Sequence, residues 1–201
     1  MTIRLLAVAT MMTAVLAGLV GHHAYRRSSG TEVLLEMEPV DPRDVLLGHY
    51  VILTTPVHRL DTGALEGPET GWARGDLVYV ALEETAAGAA LPVGAFREAP
   101  GGLFIRGRVQ SVSTQQEYTE PEPLEDGSIG WRREPVPGTQ RDELWVQYNI
   151  ERYYAPQDQA LALERQRNED RLRLIVSVGD DGGAVIKGLE IDGERRIDRL
   201  F

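Results

Sequence analysis

The sequence predicts an all-β or β-dominated (α+β) domain, a single β-barrel or sandwich-like unit with one short helix near 156–168, carried on an N-terminal transmembrane helix. Three observations lead there. Seven or eight short stretches with strand-like patterning alternate with clusters of turn-forming residues. Only one soluble helical pattern interrupts them, and no strand–helix–strand alternation occurs. Residues 5–21, LLAVATMMTAVLAGLVG, carry no charge. A chain of 201 residues has room for one domain with a real core beyond that segment.

The uncharged run is flanked by Arg4 and by HHAYRR at 22–27. Seventeen helical residues span roughly 26 Å, the short end for a membrane helix. Neither LVG at 19–21 nor HHA at 22–24 offers the small-residue pattern of a signal-peptide cut. An uncleaved anchor over 1–27 is the expectation, with an extracytoplasmic domain over 28–201. The flanking charges nearly balance under the positive-inside rule, with the terminal amine and Arg4 against Arg26 and Arg27. A leader-like terminus leaves its short tail inside and exports the rest of the chain.

SSGTEV at 28–33 reads as a polar spacer. TEVLLEMEP then places Val33, Leu35 and Met37 on one face of a strand that Pro39 ends. In DPRDVLL, Asp41 suits a helix cap and Pro42 the first helical position, and Gly48 can close the turn. HYVILTT at 49–55 is rich in β-branched residues and predicts a strand. Residues 60–76 read as turn chemistry. DLVYVALEE at 76–84 is apolar on both faces, which predicts a central, buried strand. GLFIRGRVQSV at 102–112 comes next, with Gly107 a candidate bulge. Residues 113–140 are rich in acids and prolines and predict a long surface excursion. DELWVQYNI at 142–150 alternates, with Leu144, Val146, Tyr148 and Ile150 on one face. Pro156 opens the helical pattern that carries Ala160, Leu161 and Leu163. RLRLIVSV at 171–178, AVIKGLEI at 184–191 and ERRI at 194–197 predict a three-stranded meander turned by GDDGG and by Asp192-Gly193.

Charge narrows the function classes. The chain has 21 basic and 31 acidic residues, for a net charge of −10. All three bases of 1–27 are arginines, so 28–201 holds 18 bases against 31 acids, a net −13. An acidic body argues against nucleic acid, whose affinity comes largely from phosphate neutralisation. It also disfavours lying flat on an anionic membrane. Lys187 is the only lysine, and the Arg, Ala and Gly usage suggests a GC-rich bacterial gene. With no cysteine, disulfides, thiolate metal sites and cysteine nucleophiles are ruled out.

No nucleotide-binding, zinc-protease or serine-hydrolase motif occurs, so no cofactor, metal or complete catalytic set is expected. His49 and His58 lie nine apart with no second ligand at metal-binding spacing. Asp180 and Asp181 are accounted for by their hairpin turn. One enzyme layout is similar, that of type I signal peptidases, in which an anchor precedes a β-rich exported domain. EMEP at 36–39 and GDLVYV at 75–80 resemble their boxes. However, Glu36 stands at the nucleophile position, and Arg106 and Arg108 stand where the base lysine would be. Arginine stays protonated and cannot act as a base.

The stretch PVDPRDVLLGHYVILTT at 39–55 resembles the signature of the GDYXXLXY family of membrane-anchored bacterial proteins. Gly48, Tyr50 and Leu53 match the signature, while His49 replaces its Asp and Thr55 its final Tyr. DPRDVLLG is similar to the family's lead-in. GRV at 107–109, IERYYAPQDQALALE at 150–164 and GAVIKGLEIDG at 183–193 resemble its later blocks, in order. The family has no established activity, and its members are often encoded beside, or fused to, multi-spanning membrane proteins. The resemblance thus implies an accessory role. The motif residues Asp41, Pro42, Arg43, Gly48, His49, Tyr50 and Leu53 are the candidate site.

Two functions are compatible with these features. The first is a non-enzymatic extracytoplasmic domain, held to the membrane by its helix, that partners an integral membrane protein. The second is a hydrolase of unrecognised type, or a degenerate signal-peptidase-like protein, with Asp41, Arg43, His49 and Tyr50 in a cleft. Within 39–55, cap and turn chemistry accounts for the acids, prolines and glycine. That reading makes the stretch a strand–turn–strand joint and leaves Arg43 and His49 unexplained.

Overall fold

The computed structural model describes residues 2–38, 50–66, 71–116, 118, 136–137, 141–154 and 172–198. Among these residues are one long helix, α1 (Thr2–Ser29), and eleven strands. These are β1 (Thr31–Glu36), β2 (Tyr50–Ile52), β3 (Arg59–Asp61), β4 (Leu77–Glu84), β5 (Ala90–Phe96), β6 (Phe104–Gln115), β7 (Arg141–Gln147), β8 (Arg152–Tyr154), β9 (Leu172–Val178), β10 (Ala184–Ile191) and β11 (Glu194–Ile197). The β-dominated expectation with an N-terminal apolar helix holds. The helical pattern at 156–168 and most of 113–140 lie outside the described residues.

The strands form a nearly closed, barrel-like wall. One sheet runs β1-β9-β10-β11, a second runs β3-β7-β6-β4-β5, and β2 and β8 pair separately. The two larger sheets approach where β1 lies against β5. They also meet where the Arg106 N–H donates to the Gly182 carbonyl at 2.7 Å. Between them lies one core, with Leu35, Leu53, Leu60, Ile105, Leu144 and Leu174 among its fully buried side chains. The predicted alternation of β1 and β7 points Val33, Leu35, Leu144 and Val146 inward.

Several expectations need correction. No spacer separates the helix from the barrel: α1 runs through Ser29, and β1 begins at Thr31. β4 is one-sided, with Val78, Val80 and Leu82 buried and Leu77 44% exposed. Its outward apolar residues are ordinary, because much of any protein surface is apolar. The run read as turn chemistry contains β3. The unassigned stretch 90–96 is β5, an edge strand where Pro92 is tolerated. β6 extends to Gln115, three residues into the expected excursion, and pairs there with β7.

Gly107 is not the bulge. The register shift in β6 falls between Val109 and Ser111. Gly107 is small because the Tyr148 ring and Val146 pack across it, and a Cβ there would come within 2.6 Å of Tyr148 Cε1. The β10–β11 turn agrees with the sequence reading, with φ of 52° at Asp192 and 81° at Gly193, the conformation a two-residue hairpin requires. We expect Gly107→Ala to cost about 1–3 kcal/mol by overpacking. Gly101→Ala, at a site open to solvent, should change stability by less than about 0.5 kcal/mol. Urea unfolding of the two variants checks this, and equal midpoints would contradict the packing.

Candidate functional site

Of the motif residues, Asp41, Pro42, Arg43, Gly48 and His49 lie outside the described residues. Tyr50 opens β2, in register with Tyr154 of β8. Leu53 lies just past β2 and is 2% exposed. Its N–H donates to the Glu151 carbonyl at 2.8 Å. The hydrolase arrangement of Asp41, Arg43, His49 and Tyr50 therefore has only the Tyr50 backbone among the described residues. At the signal-peptidase-like positions, Glu36 lies 3.7 Å from Arg173, and Arg106 pairs with Asp181 at 2.9 Å.

Immediately after the motif strand comes a polar cluster that the sequence did not announce. Pro56–His58 form a single 3-10 turn. The His58 N–H donates to the Thr55 carbonyl at 2.9 Å. In return the Thr55 N–H donates to His58 Nδ1 at 3.1 Å, and Thr55 Oγ1 lies 2.9 Å from the same nitrogen. This reciprocal closure of a turn is the logic of a capping box. Since Nδ1 accepts, the neutral ring carries its proton on Nε2. Nε2 faces Glu151 Oε1 at 3.6 Å, which is ion-pair range but too long for a hydrogen bond. Tyr148 stacks edge-on to the imidazole at 5.5 Å and donates its hydroxyl to the Val57 carbonyl at 2.8 Å.

Glu151 organises the other side. Its Oε1 accepts from the N–H groups of Tyr148 at 2.5 Å and Asn149 at 3.1 Å. The chain there turns sharply, with Asn149 at φ 65°, which ends β7 even though the inward pattern continues to Ile150. Burial pushes the Glu151 carboxyl up, but the His58 contact and the backbone donors outweigh it and hold the group below its ordinary value. Burial, and then the Glu151 charge, push the Tyr148 phenol well up. His58 is 1% exposed, so its imidazole is sealed within this cluster. Its work is to fix the motif strand to the β7–β8 turn.

A second arrangement lies where α1 meets the barrel. Lys187 is a bulge in β10, between the paired positions Ile186 and Gly188. Its carbonyl accepts the Asp198 N–H at 2.9 Å and also the Arg27 guanidinium. Arg27 Nη2 donates as well to the Asp198 carbonyl at 2.5 Å. Arg27 is 9% exposed, so the end of the helix is plugged into the sheet. Ser177 donates to the Arg26 carbonyl at 2.9 Å. Arg26 pairs with Asp181 at 3.4 Å. Asp181 also accepts the Gly183 N–H at 3.0 Å, and that bond, with the charges of Arg26 and Arg106, holds its carboxyl below the ordinary value. A side chain at Gly30 or Gly183 would collide with Ser177 and Arg26 respectively.

Two clefts flank this junction, of about 450 Å³ and 360 Å³. Arg26, Asn149 and Ala184 line both. The first also takes His23, Arg152 and Tyr153, and the second Arg106 and Arg108. Burial, and then its bond to Asp198 at 2.6 Å, push the Tyr153 phenol up.

The family model described as GDYXXLXY protein matches residues 12–189 of the 201-residue chain. The chain belongs to the GDYXXLXY family. No curated protein and no solved structure matches it. Set on this structure, the GDYXXLXY signature is partly a packing device. Its Leu is the buried Leu53, and Thr55, at the place of its last Tyr, is fully buried and bonded to His58. The spacing Thr55-x-x-His58 was the one available signal for this cluster, since it is the spacing of a reciprocal cap. Among the described residues, no group of three His, Asp or Glu side chains could hold a metal ion.

Two outcomes test these contacts. Because the folded Glu151 carboxyl lies below its ordinary 4.5, its contribution is fully present above that pH and is lost as pH falls through the folded value. Glu151→Gln should therefore flatten the acid limb of the stability–pH curve below about 4.5, measured by thermal melts. An unchanged limb would contradict the assignment. Arg27→Met removes charge-assisted bonds to two carbonyls and should cost roughly 1.5–3 kcal/mol. It should also speed limited proteolysis at the α1–β1 joint.

Proposed function

We propose that this GDYXXLXY protein is a single-pass, membrane-anchored extracytoplasmic domain without enzymatic activity, serving as accessory or interaction partner of a multi-spanning integral membrane protein. The observation that carries this reading is the way α1 is used. Its span Ile3–Ser29 has a mean hydropathy of 2.1 over its most apolar window, none of which is buried in the fold. Ile3, Leu6, Met11 and Leu16 are exposed around it. Such a surface requires lipid or other apolar helices around it, while the other end of the same helix is locked into the barrel.

Orientation and activity have separate support. Arg26 and Arg27 have structural work at the junction, so their place on that flank need not mark a cytoplasmic side. That favours the short tail with Arg4 inside and the barrel outside. The non-enzymatic reading draws on the burial of the His58 imidazole beside Glu151, since hydrolysis needs such a pair in an open, concave site.

Purification of the full chain from native membranes in mild detergent should bring a multi-spanning protein with it in fixed proportion. A chain that runs alone through every step would sink the accessory role. A topology reporter fused to the C-terminus should be active outside the cytoplasm, and a cytoplasmic signal would overturn the localisation.

A further inference from the structure

The motif strand belongs to a ribbon of its own. Among the described residues, β2 and β8 pair only with each other. At one end the ribbon is held by Leu53, whose side chain is buried in the core and whose N–H continues the pairing to the Glu151 carbonyl at 2.8 Å. Further along, Tyr153 stands in register with Val51 and donates its hydroxyl to Asp198 Oδ1 at 2.6 Å. Asp198 also receives the helix. Its carbonyl accepts from Arg27 Nη2 at 2.5 Å. Its N–H donates to the Lys187 carbonyl at 2.9 Å, which is the second acceptor of the same guanidinium. We infer that Asp198 is a latch that couples the seating of α1 to the order of the motif ribbon, so that displacing the helix end releases Tyr153 and loosens β2.

The placement of Asp198 suits a latch. It lies just past the end of β11, outside the full strand ladder, so its position depends on the groups that hold it. Arg27 bonds its backbone and Tyr153 its side chain, and each of these bonds involves an ionised partner, the strong kind. A hydroxyl bond of 2.6 Å is lost on a displacement of about 1 Å. Arg27 is near enough that its charge acts on the Tyr153 phenol, against the upward push of burial and of Asp198. Arg26, one residue earlier, pairs with Asp181 instead. Coupling of this kind is reciprocal, so loosening the ribbon also frees the helix end. The latch belongs to the chain alone and needs no partner. Under the accessory reading above, a partner that turns or tilts α1 is felt at the family motif.

Hydrogen–deuterium exchange of the full chain in detergent, resolved by peptide, tests the latch without a partner, so its failure is separate from failure of the accessory role. Tyr153→Phe removes a bond to a charged group and should raise exchange across β2 and β8 on the order of tenfold. It should also raise exchange in the last turn of α1. Arg27→Met should raise exchange across β2 and β8 by about fivefold or more. The double variant should stay near the roughly tenfold rise, short of the roughly fiftyfold that independent effects multiply to. Arg26→Gln removes a pair at the same helix end without touching Asp198, and should leave β2 and β8 unchanged. Protection of β2 and β8 unaltered by Arg27→Met, multiplying effects in the double variant, or equal loosening by Arg26→Gln would refute the latch. An equal rise through β4 and β6 would mark general destabilisation and overturn it as well.

Discussion

Arg27 carries its charge out of the last turn of a membrane-length helix and buries it against the carbonyls of Lys187 and Asp198. A buried guanidinium is costly unless its donors are satisfied, so the sheet must supply those carbonyls in the right place. The bulge at Lys187 does this by releasing one residue of β10 from its ladder with β9. Gly188, which has no room for a side chain against the Arg196 backbone, lets β11 close in behind it. The register of the C-terminal meander and the angle at which the helix leaves the domain are thus set together.

From that junction a continuous line of contacts reaches the family motif. Asn149 lines the clefts. Its N–H is held by Glu151, whose carbonyl accepts from Leu53 and whose carboxylate faces His58. Tyr148 completes the cluster and determines why residue 107 is glycine. The motif strand is therefore tied to the helix-bearing end of the barrel through a polar cluster around the buried His58, in which each member fixes its neighbours.

The parts legible in the sequence are those whose cause is local. Alternation in β1 and β7, the Asp192-Gly193 hairpin and the uncharged run each arise from period or turn chemistry. The junction was not legible, because Arg27 beside a long apolar run looks like an ordinary flank and its partners are backbone carbonyls 160 and 171 positions away. Asp181 was legible only in part. Its turn explains the bond to Gly183, while its pairing with Arg26 and Arg106 depends on how the sheets meet. Gly107 read as a bulge because the side chain that needs its space comes from another strand. His58 read as isolated because Glu151 reaches it only through the tertiary fold.

The bulge at Lys187 leaves one more mark on the molecule. Its ammonium, 2.6 Å from Glu32, belongs to the only lysine in the chain. Amine-directed chemistry on the folded domain therefore has a single internal address, and that address is the socket of the helix. A covalent label placed there reports on the joint between helix and barrel, and a cross-linker placed there samples whatever stands beside it.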